Sequence, residues 1–191
     1  MKLSRAAALL LAIGVAGCTL FKSGKVDPDT LVARQLNMLQ IAIENDTRAG
    51  GKAHVAVLGV VDVVGMAAGE GAEAADPEAL SAARRRERGV RQAIGEVLVQ
   101  NRLMAAVQPS AEQAEQARKA ISAANSPALD AAEATAVGKA LGADYLVCAL
   151  IDDEGKSINV VAQRTTDGVV VFQDVLKNWS AAGAAATAAG A

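Results

Sequence analysis

The feature that most constrains the fold is a continuous apolar run at residues 145–151, YLVCALI. Gly142, a residue type common just after helix ends, precedes this run, and the turn-forming residues 152–155 follow it. An apolar run of strand length that lies between a helix stop and a turn predicts a β-strand covered on both faces. Other parts of the chain must therefore pack on both sides of it.

Two further strands are predicted after this run. Residues 157–164 alternate between apolar and polar side chains, which predicts a strand with one buried face. Asp167-Gly168 predicts a two-residue hairpin turn with both residues at positive φ, and residues 169–172 then return along the sheet. The C-terminal half is thus predicted to be a three-stranded antiparallel meander whose first strand lies at the centre of the sheet.

The rest of the chain supplies two more strands and the helices that cover the sheet. The Val-rich residues 54–64 predict an interior strand, and residues 102–107 predict a short one. Helices are predicted at 27–49, 80–100, 110–124 and 126–141. In the last of these helices, the residues expected to face the sheet are Leu129, Ala132, Ala136 and Ala140. This order predicts an α/β (α+β) fold, a single domain with one mixed five-stranded sheet and helices packed on it.

The N-terminal residues have the pattern of a lipoprotein signal. Lys2 and Arg5 precede an apolar stretch at residues 6–16, which is too short to span a bilayer. Small residues then lead to Cys18, and this arrangement resembles the lipobox of bacterial lipoproteins, in which the cysteine is acylated and becomes the mature N-terminus. We therefore expect Cys18 to carry acyl chains such as palmitate that hold the protein on a membrane. An ordinary secretory signal that contains a cysteine is the alternative.

The residue after Cys18 bears on which membrane is used. Thr19 stands where an Asp resembles the inner-membrane retention signal of enteric lipoproteins. We therefore expect the periplasmic side of the outer membrane, with the inner membrane as the alternative. The predicted organisation is a signal peptide at 1–17, a tether at 18–26, an amphipathic helix at 27–49, an α/β lipoprotein domain at 53–177 and an Ala/Gly-rich tail at 180–191.

Composition excludes several classes of function. Removal of residues 1–17 leaves 174 of 191 residues and changes the formal net charge from −2 to −4, because two cations are lost with them. A mildly acidic domain is not a general nucleic-acid binder, so no nucleic-acid partner is expected. The chain has only two Phe, one Tyr and one Trp, which leaves few platforms for stacking sugars or bases. With Cys18 acylated, Cys148 has no cysteine left to pair with.

The candidate catalytic residues lack suitable neighbours in the sequence. His54 is the only histidine, and no nucleophile with an orienting group is recognisable around it. Cys148 lies in the most apolar strand and is expected to be a core residue, since a reactive thiolate needs an electropositive, accessible setting. Four aspartates are expected only to mark strand ends and turns: Asp62, Asp144, Asp152 and Asp153. We therefore expect no enzyme activity and no catalytic residue.

No cofactor or metal site is expected either. One His and one Cys fall short of the three or four ligands of a zinc site. The glycine-rich residues 65–77 follow a strand, but their spacing does not match the dinucleotide-binding fingerprint. Their acidic side chains would also repel phosphate.

One electrostatic feature is a candidate for partner binding. Arg84, Arg85, Arg88 and Arg91 fall on the helix face opposite the apolar stripe of the helix predicted at 80–100. The simpler interpretation is a solvated face that Glu87 partly neutralises. The functional interpretation is a docking patch for an anionic partner, such as an acidic protein surface, lipid headgroups or cell-wall carboxylates.

Three short segments carry a family resemblance. Residues 55–58 (VAVL), 138–147 (GKALGADYLV) and 167–170 (DGVV) resemble segments of two related groups of bacterial envelope lipoproteins. One group comprises the penicillin-binding-protein activators, which dock on peptidoglycan synthases, and the other is the curli secretion channel family. The resemblance spans about residues 53–175 and implies a lipid-anchored, compact mixed α/β domain.

These observations lead to a ranked set of functions. The first is a non-enzymatic envelope lipoprotein that binds another envelope protein, as the synthase activators do. The second is a subunit of an oligomeric secretion apparatus resembling the curli channel, which leaves a homo-oligomer open. The third is a small-ligand-binding periplasmic module, which would require a pocket near His54, Asp62 and residues 65–71.

Overall fold

The structure is a computed structural model that describes residues 28–47, 51–66, 76–152 and 156–177. The predicted signal peptide, Cys18, the tether, most of the glycine-rich segment and the Ala/Gly-rich tail lie outside the described residues. The helices are α1 (Pro28–Asp46), α2 (Val63–Met66), α3 (Pro77–Gln100), α4 (Ala111–Ala124) and α5 (Ala131–Leu141). The strands are β1 (Ala53–Asp62), β2 (Met104–Val107), β3 (Tyr145–Asp152), β4 (Ser157–Arg164) and β5 (Val170–Lys177).

The five strands form one mixed sheet in the order β2-β1-β3-β4-β5. Strand β1 pairs in parallel with β2 and β3, whereas β3, β4 and β5 pair antiparallel. The predicted fold class, the C-terminal meander and the central position of β3 are confirmed. The carboxyl end of the sheet is the end at which β1 and β3 finish with Asp62 and Asp152; the amino end is where they begin, at Ala53 and Tyr145.

The helices cover both faces of the sheet. On one face, α1 and α3 bury Leu39, Ile43 and Ile94 against the sheet. On the other face, α4 and α5 bury Ile121 and Ala134. Strand β3 supplies alternate side chains to each side, so all of its residues before Asp152 are buried. The two-faced cover that the apolar run predicts is therefore present.

The last helix begins later than predicted. Its N-cap is Asp130, whose carboxylate accepts the Glu133 N–H at 2.8 Å, so the helix does not start at Ser126. Residues 126–130 instead form a connection that is fixed by hydrogen bonds between Gln163 and the Leu129 backbone. This shift changes the buried face to Ala134 and Gly138, and the predicted inward positions Ala132, Ala136 and Ala140 are exposed.

The hairpin between β4 and β5 also differs from the prediction. Among the two predicted turn residues only Gly168 has a positive φ, at +70°. The loop spans residues 165–168 and is closed by the Arg164 N–H, which donates to the Val169 carbonyl at 2.9 Å. The Thr165 hydroxyl donates to the Ala143 carbonyl at 2.7 Å and its N–H donates to the Asp144 carbonyl at 2.9 Å, so the first residue of the loop stays bound to the segment that precedes β3.

Strand β4 is buried on both faces, so the prediction of one buried face is wrong. Val161 and Gln163, which occupy the face predicted to be polar, are 1% and 2% exposed. The reason is that the 126–130 connection lies over this face, where the Gln163 amide satisfies the Leu129 N–H and carbonyl. A polar side chain is tolerated in this position because all its partners are protein groups.

Candidate functional site

The carboxyl end of the sheet is the place where an α/β fold most often builds a site. The chain leaves β1 for a helix on one face and reaches β3 from helices on the other face, so β1 and β3 flank a topological switch point. Ligands of open α/β sheets bind outside the carboxyl ends of strands at such a point. Asp62 ends β1 at this point.

A bulge and a short neighbouring strand expose part of β1 to helix α3. The register between β1 and β3 shifts at Leu58, which is the extra residue, and β2 pairs only with residues 53–56. Side chains of α3 occupy the edge of β1 that β2 leaves open. Arg91 Nη2 donates to the Leu58 carbonyl at 3.4 Å, and Glu87 Oε1 accepts the Asp62 N–H at 3.0 Å.

Asp62 is a buried carboxylate with a cation beside it. Its side chain is 1% exposed, and its Oδ2 accepts a hydrogen bond from Arg86 Nε at 2.6 Å. Its Oδ1 accepts the Val64 N–H at 2.9 Å and so caps the one-turn helix α2. A buried carboxylate with a paired cation and two satisfied oxygens is neutralised locally, and this arrangement joins β1, α2 and α3.

A second ion pair extends this cluster to the other face of the sheet. Arg118 Nη2 of α4 lies 3.6 Å from Glu87 Oε1 of α3. The four side chains Arg86, Asp62, Glu87 and Arg118 carry two positive and two negative charges. Each charge has a partner of opposite sign. We therefore infer that this cluster is structural and holds α3 and α4 around the end of β1.

The structure brings together three of the four predicted arginines. Arg84, Arg85 and Arg88 are exposed on α3, and Arg85 Nη1 donates to Ser81 Oγ at 2.9 Å. Arg91 lies apart from them because it is half-buried and bonded to the β1 backbone. We call Arg84, Arg85 and Arg88 the basic patch.

Sequence reasoning missed the role of Arg86. Helix α3 buries Ala83, Val90 and Ile94, and Arg86 lies three residues after Ala83 and four before Val90. This spacing places it on the inward face. The helical period combined with a lone Asp at the end of a Val-rich strand was the signal that could have identified the pair.

His54 and Asp144 form an exposed pair at the amino end. Asp144 Oδ2 accepts the His54 N–H at 2.8 Å and lies 3.2 Å from His54 Nδ1, with both side chains more than half exposed. Eight residues of strand at ~3.3 Å each place His54 about 26 Å from Asp62. His54 and Asp62 therefore do not line a common pocket, which the small-ligand-binding alternative would require.

Cys148 lies in the middle of β3 and is fully buried. Burial raises the pKa of its thiol to about 12, although the Gly59 backbone and Arg91 act in the opposite direction. The thiol therefore stays protonated and shielded at neutral pH. The expectation of a core residue is confirmed.

The longest segment that carries the family resemblance has structural roles at the amino end. A Cβ on Gly138 would lie 2.2 Å from Cβ of Thr165, so α5 approaches the hairpin at a distance that only glycine permits. Gly142 caps α5 in the left-handed conformation at φ +65°. The Asp144 carboxylate binds the β1 backbone at His54. In this structure, these residues therefore have packing and capping roles.

A polar cluster fixes the C-terminal end of α1 to the amino end of the sheet. The Tyr145 hydroxyl donates to Asp46 Oδ2 at 2.9 Å and accepts from the Thr47 hydroxyl at 3.2 Å. Arg164 Nη1 lies 2.7 Å from Asp46 Oδ1. Burial is the main cause that raises the pKa of Tyr145, so its hydroxyl remains a donor. Helix α1 is thus bound to the sheet by polar contacts as well as by its apolar stripe.

No protein-family model, curated protein or solved structure is significantly similar to this chain. Among the described helices, none has the combined length and apolar character needed to cross a membrane. Within the same residues, His, Cys, Asp and Glu side chains do not gather in groups of three or more that could hold a metal ion. Among the described residues, the basic patch is therefore the clearest candidate for a functional surface.

Proposed function

We propose that this protein is a non-enzymatic envelope lipoprotein, anchored through acylated Cys18 on the periplasmic side of the outer membrane, whose α/β domain binds another envelope protein. The observation that carries the proposal is the basic patch at the carboxyl end of the sheet. The resemblance to the penicillin-binding-protein activators supports the same kind of role, a regulatory or assembly factor that acts through contact.

The basic patch differs from the other arginines of α3, which are tied to β1. Arg86 binds Asp62, and Arg91 binds a backbone carbonyl. Within the described ranges, the guanidinium groups of Arg84, Arg85 and Arg88 form no salt bridge. Three adjacent cations without a salt bridge attract an anionic surface and steer its approach.

The direction of α1 supports an anchor on the same side of the domain as the basic patch. The last residues of α1 contact Tyr145 at the amino end, and Gln35 Nε2 lies 3.3 Å from Asp174 Oδ2 in the middle of β5. Pro28 therefore lies toward the carboxyl end. The eight residues 19–26 span at most about 28 Å. An acidic surface of a protein held at the same membrane is thus the partner that this geometry favours.

Neutralising the basic patch tests the docking role. The triple variant Arg84→Gln/Arg85→Gln/Arg88→Gln is expected to lose most of the partner that crosslinks to the protein in intact cells, as measured by mass spectrometry. A matched control removes three cations elsewhere, at the exposed positions Arg34, Arg102 and Lys119. Equal crosslinking by both triple variants would assign the patch to an ordinary solvated helix face.

The anchor has its own test. Cys18→Ser is expected to abolish incorporation of labelled palmitate and to leave the protein uncleaved or released from the membrane fraction. A wild-type chain that is soluble and unacylated would contradict the proposal, and so would catalytic turnover by the purified protein.

A specific observation favours the second candidate, a subunit of an oligomeric secretion apparatus. Strand β5 pairs with β4 on one side only within the described residues. Val169, Val170 and Val175 are 40–48% exposed beside its open edge. Open, apolar edge strands pair readily with other chains. Sizing of the detergent-extracted protein separates the candidates, because a monomer excludes the oligomeric subunit.

A further inference from the structure

A groove opens between the C-terminal half of α3 and the strands β1 and β2. Its volume is about 460 Å³, within the range of small-molecule sites. It lies where β2 ends and β1 continues, so the short length of β2 creates it. The side chains that decide its chemistry are Val55, Val57, Leu98, Val99, Val107 and Arg91.

We propose that this groove binds a small aliphatic anion, a molecule with an unbranched hydrocarbon chain and a carboxylate head that Arg91 holds. The site is separate from the basic patch and stands independently of the docking role. It also lies at a different place from the pocket near His54, Asp62 and residues 65–71 that the small-ligand-binding alternative would require.

The wall of the groove selects for a hydrocarbon chain. Six of its twelve lining residues are aliphatic and come from α3, β1 and β2, and none of the twelve is aromatic. A nucleobase or a sugar ring would find no stacking surface there. Val99 is 64% exposed at the rim, and its burial by a ligand chain would remove apolar surface from water.

Arg91 selects for an anionic head. Its guanidinium is half-buried, and its hydrogen bond to the Leu58 carbonyl is long at 3.4 Å, which uses one of its five N–H donors. Guanidinium groups bind carboxylates through two parallel hydrogen bonds. The one carboxylate in the lining, Glu96, accepts a hydrogen bond from Gln92 Nε2 at 2.8 Å. The head group is therefore expected on the Arg91 side of the groove.

Two glycines of α3 provide a matched pair of variants. A Cβ built on Gly95, which lines the groove, meets no atom within 4 Å, so a larger side chain there would grow into open space. A Cβ on Gly89 also meets no atom within 4 Å, and Gly89 does not line the groove. Gly95→Leu therefore fills the groove, whereas Gly89→Leu makes the same change in the same helix outside it.

The experiment uses the full acylated chain in phospholipid nanodiscs with labelled Val, Leu and Ile methyl groups. Decanoate is titrated, and methyl shifts are followed by NMR, with decanol as the uncharged ligand. We expect saturable shifts at Val55, Val57 and Val99. Gly95→Leu is expected to weaken decanoate binding at least tenfold, and Gly89→Leu to leave it within about twofold.

Arg91→Gln tests the head group separately. Loss of a charge-assisted hydrogen bond is expected to weaken decanoate binding about tenfold or more, with decanol binding unchanged. Methyl shifts of Ile158 and Leu176, which are buried away from the groove, report that each variant keeps the fold. Absence of saturable shifts at the groove, or equal binding by Gly95→Leu and Gly89→Leu, would overturn the site. Equal decanoate affinity with and without Arg91 would overturn recognition of an anion.

Discussion

The two ends of the sheet are closed by different kinds of interaction. At the amino end, short polar side chains and a glycine contact bind backbone groups, as when Thr165 donates to Ala143 and Asp144 accepts from His54. At the carboxyl end, long charged side chains from helices close the gap that β2 leaves, with Asp62 and Arg86 at the centre. The first end depends on steric fit and local turns, and the second depends on compensation of buried charge.

The largest expected effect comes from removing the buried charge. Asp62→Ala leaves Arg86, which is 24% exposed, without its partner, and we expect the free energy of unfolding to fall by about 3 kcal/mol. The matched change at the other end, Asp144→Ala, removes an exposed carboxylate that binds one N–H and is expected to cost about 1 kcal/mol. Urea unfolding of both variants measures the difference. A larger loss for Asp144→Ala would reverse the comparison.

The next effect tests the steric fit at the amino end. Gly138→Ala places a Cβ 2.2 Å from Thr165, which is itself 7% exposed and hydrogen-bonded, so neither side can yield easily. We expect a loss of about 2 kcal/mol despite the better helix propensity of Ala. Gly89→Ala is the control in open space and is expected to gain about 0.5 to 1 kcal/mol. If thermal unfolding showed that both variants change the stability in the same direction, the close contact between Gly138 and Thr165 would be contradicted.

A smaller effect on stability is expected from Cys148 in β3, the strand that runs from the amino end to the carboxyl end of the sheet. Because the pKa of Cys148 is raised from 9.0 to about 12, the folded protein keeps this proton at pH values where the unfolded chain loses it. The stabilisation is fully present below pH 9 and is lost as pH rises toward 12. At pH 10 the loss is on the order of 1 kcal/mol. Urea unfolding between pH 8 and pH 11 is expected to show a flatter pH dependence for Cys148→Ala, and identical slopes would show that the thiol is not buried.

The smallest effect lies in the exposed hairpin at the amino end. Arg164 Nη2 lies 2.6 Å from Asp167 Oδ2, and this guanidinium lowers the pKa of Asp167. The stabilisation is present above the ordinary pKa of an aspartate and is lost as pH falls through the lowered value. We expect faster amide exchange at Val169, which donates to Asp167 Oδ1, only in strong acid. Asp167→Asn removes the charge and is expected to abolish this pH dependence with little change in global unfolding.

Local signals predicted part of the amino end. The stop at Gly142 and the apolar run of β3 each depend on neighbours within a few residues. Such patterns determine where elements begin and end without knowledge of the rest of the fold. The start of α5 was missed because Ser126-Pro127 is also a good helix start by local rules. Contacts with the distant Gln163 decide against it.

The carboxyl end could not be predicted in the same way. The Asp62–Arg86 pair joins residues 24 positions apart, and Arg86 stands within a run of arginines that differ only in helical phase. The groove depends on where β2 stops and on the bulge at Leu58, and neither has a local signature. Tertiary placement, not residue type, thus separates Arg86 and Arg91 from the basic patch.

The direction of the terminal elements has a practical consequence. Lys177, the last residue of β5, pairs with Ser157 beside the carboxyl end, and α1 starts toward that same end. The described chain therefore enters and leaves the folded domain at the carboxyl end of the sheet. A probe attached near Lys177 would therefore lie on that side, whereas His54, Asp144 and the hairpin lie on the opposite side. The opposite side is accordingly the better position for a probe intended to leave docking undisturbed.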